Sequence, residues 1–264
     1  MRFPVDHDLH CHTYLSLCSN DPEQTPRSIL DFAKAHGYTV QCITDHLWDR
    51  LVPDPNGFYR PQDIEHVSEN LPLPKDEQVR MVFGCETEYC GGTRLGLDPA
   101  NYGKFDFIVI PPNHFHMKGL VGSESYDTEE KRAGLLAERL EQLSRMDLPW
   151  RKVGIAHITC GLIFSEGDQY KVYSLVDEKR FRGAMRRFAA LGAGIEINLS
   201  CFGEGWREHS DAMLRLYRLA GEEGCKFYLA SDAHHPEGLK VVPERAPEVI
   251  EALGLTKEDQ FILP

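Results

Sequence analysis

Seven short apolar runs alternate with stretches of helical periodicity along this chain, and that alternation restricts the fold more than any other feature. The runs read as strands at residues 3–9, 38–44, 79–83, 105–110, 152–156, 194–199 and 226–230. Helices are expected at 26–36, 128–146, 177–191, 209–223 and 244–253, the first of them stopped by Gly37. Strands separated by helices pair in parallel through right-handed crossovers. Such a sheet either stays open or curls into a barrel. An open sheet gathers ligands at one switch point, whereas a barrel gathers functional residues at the C-terminal ends of all its strands. Here every run has histidine, aspartate or glutamate at that end. The pattern predicts an α/β chain folded as a distorted (β/α)7 TIM-like barrel, with residues 1–264 forming a single domain. No internal repeat, low-complexity tract or linker divides it.

Charge and cysteine usage exclude several classes. A net charge of −12 disfavours nucleic acid or an anionic membrane as partner, since either requires a basic surface. No apolar leader and no membrane-length run is visible, so a cytoplasmic protein is expected. The eight cysteines are scattered, several within apolar runs, without a Cys-x-x-Cys pair; they read as reduced, buried thiols. Residues 47–78 form a long connection with one short helix expected at 64–70, and a connection of that length in a compact domain is usually functional. Its Phe58, Tyr59 and Arg60 could close over a ligand or pack on the barrel rim.

The chemistry sits at the strand ends. In Asp6-His7-Asp8-Leu9-His10-Cys11-His12, the period of two along a strand sends Asp8, His10 and His12 to one face. Two neutral imidazoles side by side, with a carboxylate behind them, can chelate zinc, iron or manganese. A lone His-x-His is an everyday accident on a surface strand. The closed barrel, however, would bring Asp45-His46, Glu86, His114, His157, Glu196 and Asp232-x-His234 to the same mouth. Singly, each has an ordinary reading as a capping, ion-pairing or core residue. Jointly, so many acidic and imidazole groups would stay unsatisfied without cations.

Asp8-Leu9-His10-Cys11-His12-Thr13, Thr44-Asp45-His46, Gly84-Cys85-Glu86, Glu196-Ile197-Asn198 and Ser231-Asp232-Ala233-His234 resemble the successive motifs of the PHP superfamily, named for bacterial replicative polymerases and histidinol phosphatase. The resemblance runs in the family's order from about residue 6 to residue 240. It implies a trinuclear site with three divalent ions, zinc first and iron or manganese as alternatives. Carried over by position, His10, His12, Glu86 and Asp232 would hold one ion. Glu86 would bridge to a second, completed by His114 and His157, and the third would take His46, His234 and Cys18. Asp8 and Asp45 would orient the histidines. Glu196 and Asn198 would support the site or touch substrate, and Glu86, Asp232 and His234 are the residues expected to be catalytic. Two positions depart from the family. Pro111-Pro112-Asn113 replaces a Gly-Ser type turn, which leaves His114 preferred over His116 by motif position. Cys18 stands where histidine or aspartate is common.

Ions bridged in this way activate water as hydroxide and clamp a phosphate, so hydrolysis of a small phosphomonoester is the expected activity. The partner is then a small phosphorylated molecule, which Arg207, in Gly203-Glu204-Gly205-Trp206-Arg207, could reach. Histidinol-phosphate phosphatase, protein-tyrosine phosphatase and nucleotide phosphodiesterase are alternatives within the superfamily. Amidohydrolysis and a non-catalytic, metal-stabilised binding module are alternatives outside it. No Ser-His-Asp order, P-loop or Rossmann glycine fingerprint competes.

Overall fold

The computed structural model describes residues 1–117, 119–120, 126–164 and 166–264. Seven strands form one parallel sheet in the order β1 (His7–Asp8), β2 (Val40–Ile43), β4 (Arg80–Thr87), β7 (Phe107–Ile110), β8 (Val153–Ile155), β9 (Gly194–Asn198) and β10 (Lys226–Ala230). β3 (His46–Leu47) pairs with β4 alongside β2, His46 opposite Glu86. The sheet closes where β1 meets β10. Leu9 N donates to Leu229 O, Asp232 N to His10 O and His12 N to Ala233 O, at 2.8–3.0 Å. This is the distorted seven-stranded barrel that the alternation of runs predicts.

Helices cover the outside: α1 (Pro26–Ala35), α2 (Ile64–Val67), α3 (Glu129–Leu143), α4 (Gln169–Leu175), α5 (Glu178–Leu191), α6 (Ser210–Glu222) and α7 (Val241–Leu253). Their starts are capped by short polar side chains where the chain turns inward. Thr25, Thr128 and Asp177 each accept an N–H of the first helical turn. Besides the short β3, two further strand or helix features were not expected from the pattern. One is the hairpin β5 (Tyr89–Gly91) with β6 (Arg94–Leu95); the other is α4, whose Val172 and Tyr173 alone are buried, too few for a recognisable stripe. The first strand is shorter than expected, its ladder confined to His7 and Asp8. No helix among the described residues is long and apolar enough to cross a membrane.

Strict alternation along the strands sorts the chain into an outer and an inner layer. On β9, Ile195 and Ile197 join the large core between sheet and helices, while Gly194, Glu196 and Asn198 face inward. On β4, Phe83 and Cys85 face the helices, and Val82, Gly84 and Glu86 the interior. The floor of the barrel is apolar: Leu9, Val82, Phe107, Val109, Tyr228 and, from the C-terminal segment, Phe261 and Leu263 pack together. Above them the inward positions turn polar. That step from apolar floor to polar mouth is what collects ionisable groups at one end.

Gly154 on β8 makes this filling possible. A Cβ there would lie 2.6 Å from Phe107 Cζ and overlap the Tyr228 hydroxyl. That hydroxyl also donates to Glu196 Oε2 at 3.0 Å, so moving the ring disturbs the mouth as well. Gly154→Ala should destabilise the barrel by about 2 kcal/mol, the usual cost of overpacking a tight core, read as a lower urea midpoint.

Candidate metal centre

The polar mouth is built around Glu86, at the C-terminal end of β4 and 1% exposed. Its Oε2 lies 2.8 Å from His46 Nδ1, 3.5 Å from His12 Nε2 and 3.6 Å from His10 Nε2. Its Oε1 faces the other way, 3.4 Å from His157 Nε2 and 3.8 Å from His114 Nε2. Asp232 completes the first side, with Oδ1 3.1 Å from His12 Nε2 and 3.5 Å from His10 Nε2. Three groups of ligand atoms are close enough to hold an ion: His10, His12 and Glu86; Glu86, His114 and His157; and His12, His46 and His234.

The imidazoles are aimed by what binds their other nitrogen. His10 Nδ1 donates to Glu196 Oε2 at 2.8 Å, His114 Nδ1 to Glu88 Oε2 at 2.8 Å and His157 Nδ1 to Asn113 Oδ1 at 3.1 Å. Ser16 Oγ donates to Asp45 Oδ1 at 2.6 Å and so accepts from His12 Nδ1 at 3.0 Å. His234 Nδ1 donates to Asp232 O at 2.9 Å. In five rings the proton is therefore held on Nδ1, and the Nε2 lone pair is left for the centre. His10 Nε2 and His12 Nε2 end 3.0 Å apart, close enough to share one proton or one cation.

Burial and charge act strongly here. Burial, with the neighbouring His234 and His46 rings, holds His12 well below the ordinary histidine value, so the ring stays neutral. Burial works to raise the Glu86 carboxyl, but the neighbouring His46 and His10 rings hold it well below its usual range. Burial likewise works to raise the Cys18 thiol; hydrogen bonds to His234 and His46 outweigh it and bring the thiol down to about 6. Two residues of the mouth also take backbone angles in the left-handed region, His157 with φ 21° and Asp232 with φ 53°. Such strain persists only where the surroundings fix it.

The structure places the residues singled out from sequence as follows. His10, His12, His46, Glu86, His114, His157, Asp232 and His234 converge. His114, and not the exposed His116, stands with Glu86 and His157. Cys18 lies outside the tightest groups, against the His46 and His234 rings on their open side. Asn198 Nδ2 donates to Glu196 Oε1 at 2.9 Å and Asp232 Oδ2 at 3.2 Å, tying two carboxylates together. Asp8 does not reach an imidazole: it accepts from Ser231 N and Oγ and from His10 N, because the ladder of β1 ends before His10. Asp45 acts on His12 only through Ser16. Arg207, expected as a residue that could reach a phosphate, forks its exposed guanidinium onto Glu248 of α7. Glu88, Asn113 and Ser16 were not singled out. The Glu86-x-Glu88 spacing carried the signal for the first, since residues two apart on a strand share a face; the other two act through contacts that only the folded chain makes.

No protein-family model and no curated protein matches this sequence. Solved structures do. Histidinol phosphate phosphatase from Lactococcus lactis, complexed with zinc, L-histidinol and phosphate, superposes with a TM-score of 0.61 at 16% identity, covering 95% of this chain and 94% of that one. A histidinol phosphatase candidate from Listeria monocytogenes gives a TM-score of 0.63 at 16% identity, with 89% and 97% covered. The barrel expected from the sequence is thus also the fold of these two solved structures.

Asp45 and Arg207 give a contrast in cost. Buried Asp45 accepts from Thr13 N, Thr13 Oγ1, Ser16 Oγ and Asn70 Nδ2, all at 2.6–2.7 Å. Asp45→Ala strands these donors and should cost about 3 kcal/mol or more. Arg207→Ala, losing an exposed ion pair, should fall within about 0.5 kcal/mol of the parent. Urea denaturation of the two variants checks both.

Proposed function

We propose that this chain is a metal-dependent phosphoesterase that hydrolyses a small phosphomonoester, with divalent cations held around Glu86. The observation that carries the reading is the Glu86 carboxylate itself: buried, facing imidazole nitrogens from both oxygens, and with Oε2 lacking a hydrogen-bond donor. His46 Nδ1 likewise finds no hydrogen-bond partner despite its nearness to that oxygen. An orphaned anionic oxygen and converging lone pairs fit cations. A site that merely packed would have supplied donors. Among the described residues, no lysine or arginine forms an ion pair with Glu86, Glu196 or Asp232.

His10, His12, Glu86 and Asp232 would hold one ion and Glu86, His114 and His157 a second. The third place belongs to His46 and His234, with His12 alongside and Cys18 on the open side. Imidazole, carboxylate and thiolate donors together suit zinc best, with iron or manganese next. When bound, such ions lower the pKa of water toward neutrality and neutralise phosphoryl oxygens. The chain's own contribution is geometric. Glu196, Glu88, Asn113 and Ser16 keep the Nδ1 protons in place, so each ring presents Nε2 inward. Asn198 fixes Asp232 against Glu196, and the apolar floor beneath keeps water from entering from below. Asp232 and His234 are the most exposed members of the cluster, at 20% and 25% of their side chains, and mark the side from which substrate enters. Histidinol phosphate is the first ester to try, because a structure of this fold holds zinc, L-histidinol and phosphate.

Chelated protein should lose hydrolysis of an activated phosphomonoester and regain it with zinc or manganese. Glu86→Gln should abolish turnover while keeping the wild-type circular dichroism spectrum, and Cys18→Ala should lower bound metal by about one equivalent. Full activity of metal-free protein, or normal turnover by Glu86→Gln, would overturn the reading.

A further inference from the structure

The connection between β3 and β4 is neither loose nor remote from the mouth. Its Tyr59 is fully buried and donates its hydroxyl to Glu88 Oε2 at 3.0 Å, the same oxygen that holds His114. Gln62, also fully buried, accepts from Leu17 N at 2.9 Å through Oε1 and donates to Phe58 O at 2.9 Å through Nε2. The connection is therefore bolted both to the loop after β1 and to the carboxylate behind the cluster. Between these fastenings stands Phe58. Its ring meets His46 edge-on, centroids 5.3 Å apart at 72°, and is backed by Tyr59 at 5.1 Å and 82°.

Phe58 nevertheless remains half-buried, and Leu17, bonded to the same Gln62, is 42% exposed. A partly open aromatic ring thus stands directly against His46, in a cluster whose members are ionisable. A phosphoryl group would be drawn to the cluster, which leaves the rest of the ester next to that ring. A ring supported edge-on by its neighbours offers a further ring the offset or edge-to-face contact that aromatic pairs prefer, while an alkyl polyol gains little there and loses hydration.

We infer that Phe58 is a specificity-determining residue, reading the leaving group of the ester and favouring a flat aromatic ring over an alkyl chain. The inference rests on the phosphomonoesterase reading for where the phosphoryl group sits, and its test does not depend on turnover. Zinc-loaded protein is titrated with phenylphosphonate and with methylphosphonate, which share the anionic group and lack a cleavable ester. Wild-type protein should bind the phenyl compound about tenfold more tightly, the scale of one good aromatic contact. Phe58→Ala should remove that preference and leave methylphosphonate affinity and zinc content within about twofold of wild type. Phe58→Leu, which keeps bulk without a π face, should fall between. An undiminished phenyl preference in Phe58→Ala, equal loss for both compounds, or no preference in wild type would each overturn the inference. Phenyl phosphate and glycerol phosphate are offered to the wild type in parallel. If neither is hydrolysed while phenylphosphonate binds in a Phe58-dependent way, the ring site stands and the phosphatase reading falls.

Discussion

One buried carboxylate, Glu86, sets the terms for the rest of the molecule. A carboxylate without water is costly, and a carboxylate surrounded by neutral imidazoles gains little unless positive charge accompanies it. The chain supplies no lysine or arginine partner to it among the described residues, and its Oε2 has no donor. What it supplies instead is a shell of acceptors, Glu196, Glu88, Asn113 and Ser16, that fix the surrounding rings with their lone pairs inward. Several of those acceptors are themselves held by Tyr228, Tyr59, Asn198 and Asp45, so the order extends two bonds out from the centre.

The barrel explains why these groups meet. Parallel strands start at one end of the fold and finish at the other, and inward positions alternate with outward ones. A column such as Val82, Gly84 and Glu86 thus rises from apolar floor to polar mouth within a few residues. The same register puts Glu196 and Asn198 above Gly194, where Tyr228 and Phe261 fill the space a side chain would need. Stability sits in the lower half and in the helix layer; the cluster occupies the upper half, where two residues also carry left-handed backbone angles.

Much of this was legible in the sequence because strand ends are local signals. His10, His46, Glu86, His157 and Asp232 each follow an apolar run, and closure of the sheet needs only that those runs be parallel. What escaped was tertiary. Ser16 matters because Asp45 lies across from it and His12 beside it. Asn113 matters because the chain after β7 doubles back on His157. Arg207 looked available because nothing in its neighbourhood of sequence announces Glu248, forty-one residues on. Asp8 shares a face with His10 only while strand geometry lasts, and the ladder stops at Asp8 itself. The hairpin after Glu88 and helix α4 escaped for a simpler reason: short elements with few apolar residues lack a period to detect.

The central claim is that Glu86 lies between cations, and anomalous X-ray scattering from crystals grown with zinc tests it most directly. The account predicts peaks on both sides of Glu86, one among His10, His12 and Asp232 and another against His114 and His157, with a third beside His46, His234 and Cys18. A map with no peak at the mouth, from protein that retains the barrel and the hydrogen bonds from His10 to Glu196 and from His114 to Glu88, would contradict it.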